Sequence, residues 1–539
     1  MSQLKFLESE TNLIYIGMLA CILSAIPIWL IPIAPLSDWP VHLAIASQIH
    51  QLLSGTISNY YSLDFSVLGY SGLHLLLAFL YNFVPLEIAG KLVLTLLFVL
   101  TPVCWWFFIS TLDPKKKILF IFGSLFLYSV FFSFGLINFL FAVNFGLVFL
   151  AIGINSFLNG KENSPGLLIS GLLCFLFHEP VFLIASAVLL IAYFCRKFVL
   201  GIKMKEFGIL LILTMFILAL LDSSTQPAFL DGSYQSDSSQ CAQKLQFLSK
   251  PPNYSMSEFQ KLMLANFMGM HINPFEIFDT VFPLKILFYS SILLGSVIIA
   301  VFFWHCIKNR KPLASCAKER LKNFLFLANK NSYNLAFLSL AGIMLAYYII
   351  MPSCAVFCLL NLRSLPFFFA FLLISFKGEK YVRLAFFLIL FLFVANILFQ
   401  GWAFYSETAI QSSIVHSIEN VSSSIPAGSK VFVIPSYWND PVKYNWYPIY
   451  QNPHYHALLL AKNPSIYVSG LYLSSNAYVL RSNSKIYDEL YVFPMYSEFD
   501  SNISSCFCNL PAYYDFVIYE NLKLVSRSDF EKSCKLKSA

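Results

Sequence analysis

The chain has 539 residues, of which 58% are hydrophobic and 12% charged, and 56 are Phe. Soluble domains carry about a quarter charged residues, so a water-soluble globule is excluded and a polytopic membrane protein is indicated. The net charge of +7 says little about partners, because Lys and Arg in so apolar a chain report orientation; membrane lipids are expected partners and nucleic acid is not.

The first apolar run, Asn12 to Leu36, is longer than a signal-peptide core and has no small-residue cleavage site after it. It is expected to stay in place as a signal anchor. Directly after it, Pro35 to His50 reads PLSDWPVHLAIASQIH and sets Asp38 and His42 at the membrane boundary. A carboxylate there stays ionised only if it reaches headgroup water or a partner, and either arrangement suits surface chemistry. If Pro40 starts a short helix, Asp38 and His42 flank its first turn. The plainer alternative is that Asp38 only caps that helix.

Pro35 to Asp64 holds no Lys or Arg. Were Phe65 to Val84 a full span, Lys115, Lys116 and Lys117 would fall on the same side as this acidic segment, against the positive-inside rule. Gly69, Gly72 and His74 permit it to lie on the surface or re-enter, so the first external loop runs 35–87 and the lysines are cytoplasmic. Alternation continues through Ile88 to Leu112, Ile118 to Ser133, Gly135 to Leu158, Gly166 to Phe177, Val181 to Cys195 and Phe207 to Leu221. Leu284 to Cys306, Asn334 to Met351, Val356 to Phe376 and Leu384 to Phe399 complete it. With the first run this predicts about eleven transmembrane helices over 1–400. The N-terminus is then cytoplasmic, and a long external loop covers 222–283.

Beyond residue 400 the composition changes. Turn clusters and short aromatic-rich runs, such as Lys430 to Ile434 and Asp515 to Tyr519, predict a soluble external α/β domain over 401–539. Tyr437 to Tyr450 offers flat surfaces on which sugars stack, with core packing as the alternative. Cys241, Cys506, Cys508 and Cys534 all fall outside, an even number that an oxidising periplasm can pair. The sequence has no Walker loop, G-x-G-x-x-G, zinc-spaced cluster or repeat period.

On this topology Asp38, His42, Asn138, His178, Glu179 and Arg363 all come to the external face. Each has a plain alternative: a turn histidine bonded at the interface, an Asn that packs helices, an Arg that snorkels to headgroups. Together they form a candidate ionisable cluster, with Asp38 and Arg363 paired or both engaged on a phosphate.

These residues also carry a resemblance. Asp38-Trp-Pro-Val-His42-Leu-Ala44 resembles the D-Y-P-N-H-L-A motif of large bacterial membrane proteins related to the GT-C superfamily of glycosyltransferases; Trp39 and Val41 replace Tyr and Asn, and no Arg follows Ala44. Gly135-Leu-Ile-Asn138, His178 with Pro180, Leu362-Arg363 through Pro366-Phe367, and His456 to Leu459 follow in the same order. The resemblance implies a GT-C-like all-α membrane fold in a bacterial inner membrane. It also implies transfer of a sugar from a polyprenyl-phosphate-linked donor to a glycan, lipid or protein acceptor on the external, periplasmic face. Asp38 is then the base or a metal ligand, His42, His178 and Glu179 are further candidate catalytic residues, and Arg363 and Asn138 bind the donor phosphate. No cofactor is fixed by the sequence, and a divalent metal is left open. Two other classes fit the composition: a transporter or flippase of a lipid-linked saccharide, which usually shows internal repeats and midplane sites, and a non-catalytic membrane scaffold.

Overall fold

The computed structural model describes residues 9–36, 38–55, 60–63, 68–133, 135–159, 164–194, 333–350, 362–375, 381–433, 457–468, 480–482, 515–519 and 523–538. The expected spans Phe207 to Leu221 and Leu284 to Cys306, the loop 222–283, Cys241, Cys506, Cys508, the run Tyr437 to Tyr450 and His456 lie outside these residues, as does the side chain of Cys534.

Helix α1 (Glu10–Leu23) continues into a short helix, Ile26–Trp29. Together they make an apolar stretch of 20 residues, about 30 Å at 1.5 Å per residue, which matches a hydrocarbon core. Pro40 lies in the first turn of α2 (Trp39–Leu53), where its missing N–H breaks no helical bond. This helix is buried from Trp39 to Ile49. After strand β1 (Tyr61–Leu63) comes α3 (Ser71–Tyr81), which packs along α2; the His50 and Tyr81 rings lie 4.5 Å apart. Its 11 residues reach only about 16 Å. The chain then enters α4 (Leu86–Leu112) at the end of the bundle it has not left, because Gly90 lies against Trp39 and Leu43 of α2.

Helix α4 crosses to the opposite end. There Lys117 pairs with Glu10 at 3.1 Å and Lys116 with Asp113 at 2.9 Å. The chain returns through a 3-10 stretch, Pro114–Phe126, and a short helix, Val130–Ser133, in place of the continuous span expected over Ile118 to Ser133. At about 2.0 Å per residue a 3-10 helix of this length rises roughly 26 Å, so it covers in few residues what an α-helix covers in more. Its narrow section lets Gly123 lie on the Trp105 ring, where a Cβ would come within 2.3 Å.

α5 (Ile137–Asn159), α6 (Ser164–Phe177) and α7 (Glu179–Phe194) then run up and down, with α5 against α4, α6 and α7. Among the described residues three helices are long and apolar enough to cross a membrane: Glu10–Trp29, α4 and the Ile137–Phe157 part of α5. α8 (Tyr333–Ile350) packs on α9 (Leu365–Ser375), which follows a 3-10 turn, Leu362–Ser364. Lys116 Nζ donates to the Ile374 carbonyl at 2.5 Å. The end of α9 is thus at the lysine end of the bundle, and Leu362–Ser364 at the other.

α10 (Val382–Ser424) is one helix of 43 residues, about 65 Å long and roughly twice a hydrocarbon core. The boundary expected between 400 and 401 falls inside it. After it β2 (Lys430–Val433), β3 (Tyr467–Val468), β5 (Phe516–Tyr519) and β6 (Lys523–Ser526) form a sheet in the order β3-β2-β5-β6. β2 is parallel to both neighbours and β6 antiparallel to β5. β4 (Leu480–Ser482) pairs antiparallel with β1 instead. The runs read as strands from sequence are β2 and β5. Between β2 and β3 lies α11 (Ala457–Lys462), which buries Ala457 to Ala461 against α2 and α10. Ser47 Oγ donates to the Ala461 carbonyl at 3.2 Å, Gln48 Nε2 to that of Pro464 at 3.0 Å, and Lys462 Nζ bridges Glu87 and Glu419. The helix that carries His42 is therefore clasped between the apolar bundle and the C-terminal segments.

Candidate functional site

Asp38 occupies the position before α2, yet its side chain makes no capping hydrogen bond. The capping alternative fails on that point. The carboxyl instead lies within the electrostatic reach of Arg363. The residue keeps part of its surface open while its carboxyl is desolvated; burial pushes the carboxyl up to about 7, against a downward pull from Arg363.

Gly135 sets the position of Asp38. Its φ is +79°, and a Cβ there would lie 2.8 Å from the Asp38 backbone nitrogen and 3.2 Å from its Cα. Only glycine allows both the left-handed turn and the approach. Gly135→Ala is expected to destabilise the chain by at least about 1 kcal/mol from the backbone conformation alone, read as a lower unfolding temperature in detergent. An unchanged temperature would show that the turn and Asp38 can separate freely.

From Gly135 a chain of polar contacts crosses the site. Its carbonyl meets His42 Nε2 at 3.1 Å, His42 Nδ1 meets His74 Nε2 at 2.9 Å, and His74 Nδ1 meets the Tyr70 carbonyl at 3.1 Å. Tyr70 has φ 65°, a conformation uncommon for a bulky residue, and its hydroxyl lies 2.9 Å from His178 Nε2. Asn138 Nδ2 reaches the Tyr70 carbonyl at 3.5 Å, and its Oδ1 is buried with no hydrogen-bond partner among the described residues. Arg363 Nη1 lies 3.4 Å from the Tyr70 hydroxyl and 2.5 Å from His178 Nε2, with the guanidinium 5.8 Å from the Phe139 ring centre. His178 sits in the break between α6 and α7, where the Val181 amide donates to its carbonyl at 3.1 Å. Glu179 opens α7, is 2% exposed, and acts electrostatically on the Tyr70 hydroxyl.

The structure thus brings Asp38, His42, Asn138, His178, Glu179 and Arg363 to one end of the bundle. Two members escape the sequence reading: Tyr70, and His74 in the role of a partner to His42. The available signal was the His74 and the paired glycines of an otherwise apolar segment, which mark irregular backbone without saying what it faces. Among the described residues no group of three or more His, Cys, Asp or Glu gathers to hold a metal ion. The arrangement sets a carboxyl of raised proton affinity beside a fixed guanidinium backed by a phenol and an imidazole. Such a combination of groups is suited to taking a proton and to holding an anion at one end of the bundle. No family model, curated protein or solved structure matches the chain.

Proposed function

We propose that the protein is a GT-C-like membrane glycosyltransferase that moves a sugar from a polyprenyl-phosphate-linked donor to an acceptor hydroxyl or amine at the external face of a bacterial inner membrane. The observation that carries this reading is the placement of Asp38, an acid that does not cap its helix, with buried Arg363 at one end of an apolar bundle. The Asp38 carboxylate takes the acceptor proton as the acceptor oxygen or nitrogen bonds to the anomeric carbon. The bond from that carbon to the phosphate oxygen breaks, and its electron pair leaves with the lipid phosphate. Arg363, braced by Tyr70 and His178, holds the charge that builds there. Asn138 Oδ1 can orient a donor hydroxyl, and Glu179 stands as a second acid.

Orientation follows from charge. Lys115 to Lys117 share an end with Glu10, and the positive-inside rule makes that end cytoplasmic, which leaves the cluster external. About eleven spans, and an external domain built on the sheet after α10, complete this reading. Reporter fusions after Lys117 and Lys322 are expected to read cytoplasmic, and those at Lys250 and after Ser424 external. Lys117 on the outside would remove the external site.

Function is tested by mass spectrometry of cell-envelope glycans with and without the protein, followed by transfer from the donor so identified with the purified chain. A glycan lost on deletion and restored by the chain supports the reading. An unchanged envelope, together with no release of lipid phosphate from supplied donors, rejects it.

A further inference from the structure

We infer that His178 is a neutral acceptor that fixes the guanidinium of Arg363, a positioning residue for the anion site and not an acid in it. The inference rests on the proposed function only in the role it gives Arg363, and it removes His178 from the candidate proton donors.

What each atom can offer decides the state of the ring. A guanidinium nitrogen has hydrogens to give and no lone pair with which to receive one, and its charge is permanent. Arg363 Nη1 lies 2.5 Å from His178 Nε2. Hydrogens on both nitrogens would set N–H against N–H at that distance, so Nε2 presents its lone pair and carries no proton. An imidazolium needs a proton on both ring nitrogens. The ring is therefore neutral. The Tyr70 hydroxyl lies 3.4 Å from Nη1 and 2.9 Å from Nε2; its oxygen takes the second Nη1 hydrogen, and the three groups close a triangle.

The surroundings favour the same state. His178 is 1% exposed and Arg363 5%, so bulk water neither competes for Nη1 nor solvates a second cation beside it. Burial and the Arg363 charge both push the imidazole well below its ordinary value. The titratable groups around it are Tyr70 ahead of α3, Glu179 at the start of α7 and Arg363 ahead of α9. From α5 comes the Phe139 ring, edge-on at 5.6 Å, and from α6 the Cys174 carbonyl, to which the His178 amide donates. Asp38, His42 and His74 lie further along the cluster, reached through Arg363 and the Tyr70 carbonyl. Only a carboxylate among these would draw a proton onto the ring, and the bond from Arg363 already fills the place on Nε2.

A neutral ring in this place aims a charge that is carried elsewhere. Arg363 stands on the 3-10 turn Leu362–Ser364 and His178 in the break between α6 and α7, and their bond joins positions 185 residues apart. A guanidinium on a turn has a long side chain to swing on. Held at Nη1 by His178 and Tyr70 and set over the Phe139 ring, it keeps one orientation before a phosphate arrives, which is the preorganisation that charge stabilisation requires. A positive charge on His178 would push the guanidinium away instead.

The first test needs no donor. The full chain, with its histidines labelled with 15N, is placed in lipid bilayers, and the His178 ring signals are assigned by their loss in His178→Gln. From pH 8 down to pH 5 the ring is expected to keep one bare and one protonated nitrogen, where an ordinary histidine gains its second proton near about 6.5. Two protonated nitrogens at pH 6 would overturn the inference. Substitution then separates an acceptor from an acid. Glutamine supplies a carbonyl acceptor that never titrates, and phenylalanine fills the place without one. Binding of a short-chain polyprenyl phosphate is expected to stay within about threefold in His178→Gln and to weaken by about tenfold or more in His178→Phe, the scale of one charge-assisted bond. Where transfer is measurable, the kcat/KM profile of His178→Gln keeps every limb in place. A limb lost in that variant, or binding as weak as in His178→Phe, would show that the imidazole itself is needed and would reject a mere acceptor. A ring that stays neutral at pH 5 in a chain that transfers no sugar would leave this inference standing and reject the proposed function.

Discussion

Asp38→Asn is expected to lower sugar transfer by ~10²–10⁴-fold, the range spanned by loss of a general base, while membrane insertion and donor binding persist. The substitution keeps volume and hydrogen-bonding reach and removes only the proton acceptor. Because the Asp38 side chain makes no cap bond, the substitution should not bring the loss of about 1 kcal/mol that removal of a true N-cap brings. Rate separates the roles: a base loses transfer by orders of magnitude, and a cap keeps it. The pH profile adds a sign. Transfer needs the carboxylate, and burial pushes that group up to about 7 while Arg363 pulls it down. Rate should fall as pH drops through about 7, where burial, net of the pull of Arg363, holds that group. Full glycan restoration by Asp38→Asn would end the catalytic reading.

Arg363→Lys is expected to weaken donor binding and rate together, by roughly 10- to 100-fold in kcat/KM, as follows from losing a charge-assisted bond of about 1.5–3 kcal/mol. Lysine keeps the charge and loses the planar fork. Here the fork does two jobs, since Nη1 engages Tyr70 and His178 while the other donors of the guanidinium are what a phosphate would use. Binding of a lipid-phosphate analogue separates them. If the variant binds the analogue as tightly as the original chain, Arg363 only braces Tyr70 and His178, and the phosphate is held elsewhere.

The sequence by itself determined the apolar, helical character of this protein and named candidate residues that the structure brings to one end of the bundle. Hydropathy is a property of consecutive residues, so the helices long and apolar enough to cross, Glu10–Trp29, Leu86–Leu112 and Ile137–Phe157, overlap the expected runs to within a few residues, and the strands at Lys430 and Phe516 follow from equally local patterns. Ionisable residues in an apolar chain collect where helices end, because only there can they be solvated or paired. Reading the ends in order therefore assembled Asp38, His42, Asn138, His178, Glu179 and Arg363 before any contact was known. Only the tertiary structure decided what each touches. His42 and His74 are 32 residues apart and Tyr70 and Arg363 are 293 apart, and no period or spacing encodes a contact between chain segments that meet through packing. The same holds for the left-handed turn at Gly135 that presses on Asp38, and for Ser47 bonding to Ala461 across 414 residues. It holds too for the 3-10 course of Pro114–Phe126. Composition there reads as an ordinary span, because hydropathy records that a segment is buried and not how tightly its backbone winds against a neighbouring Trp105.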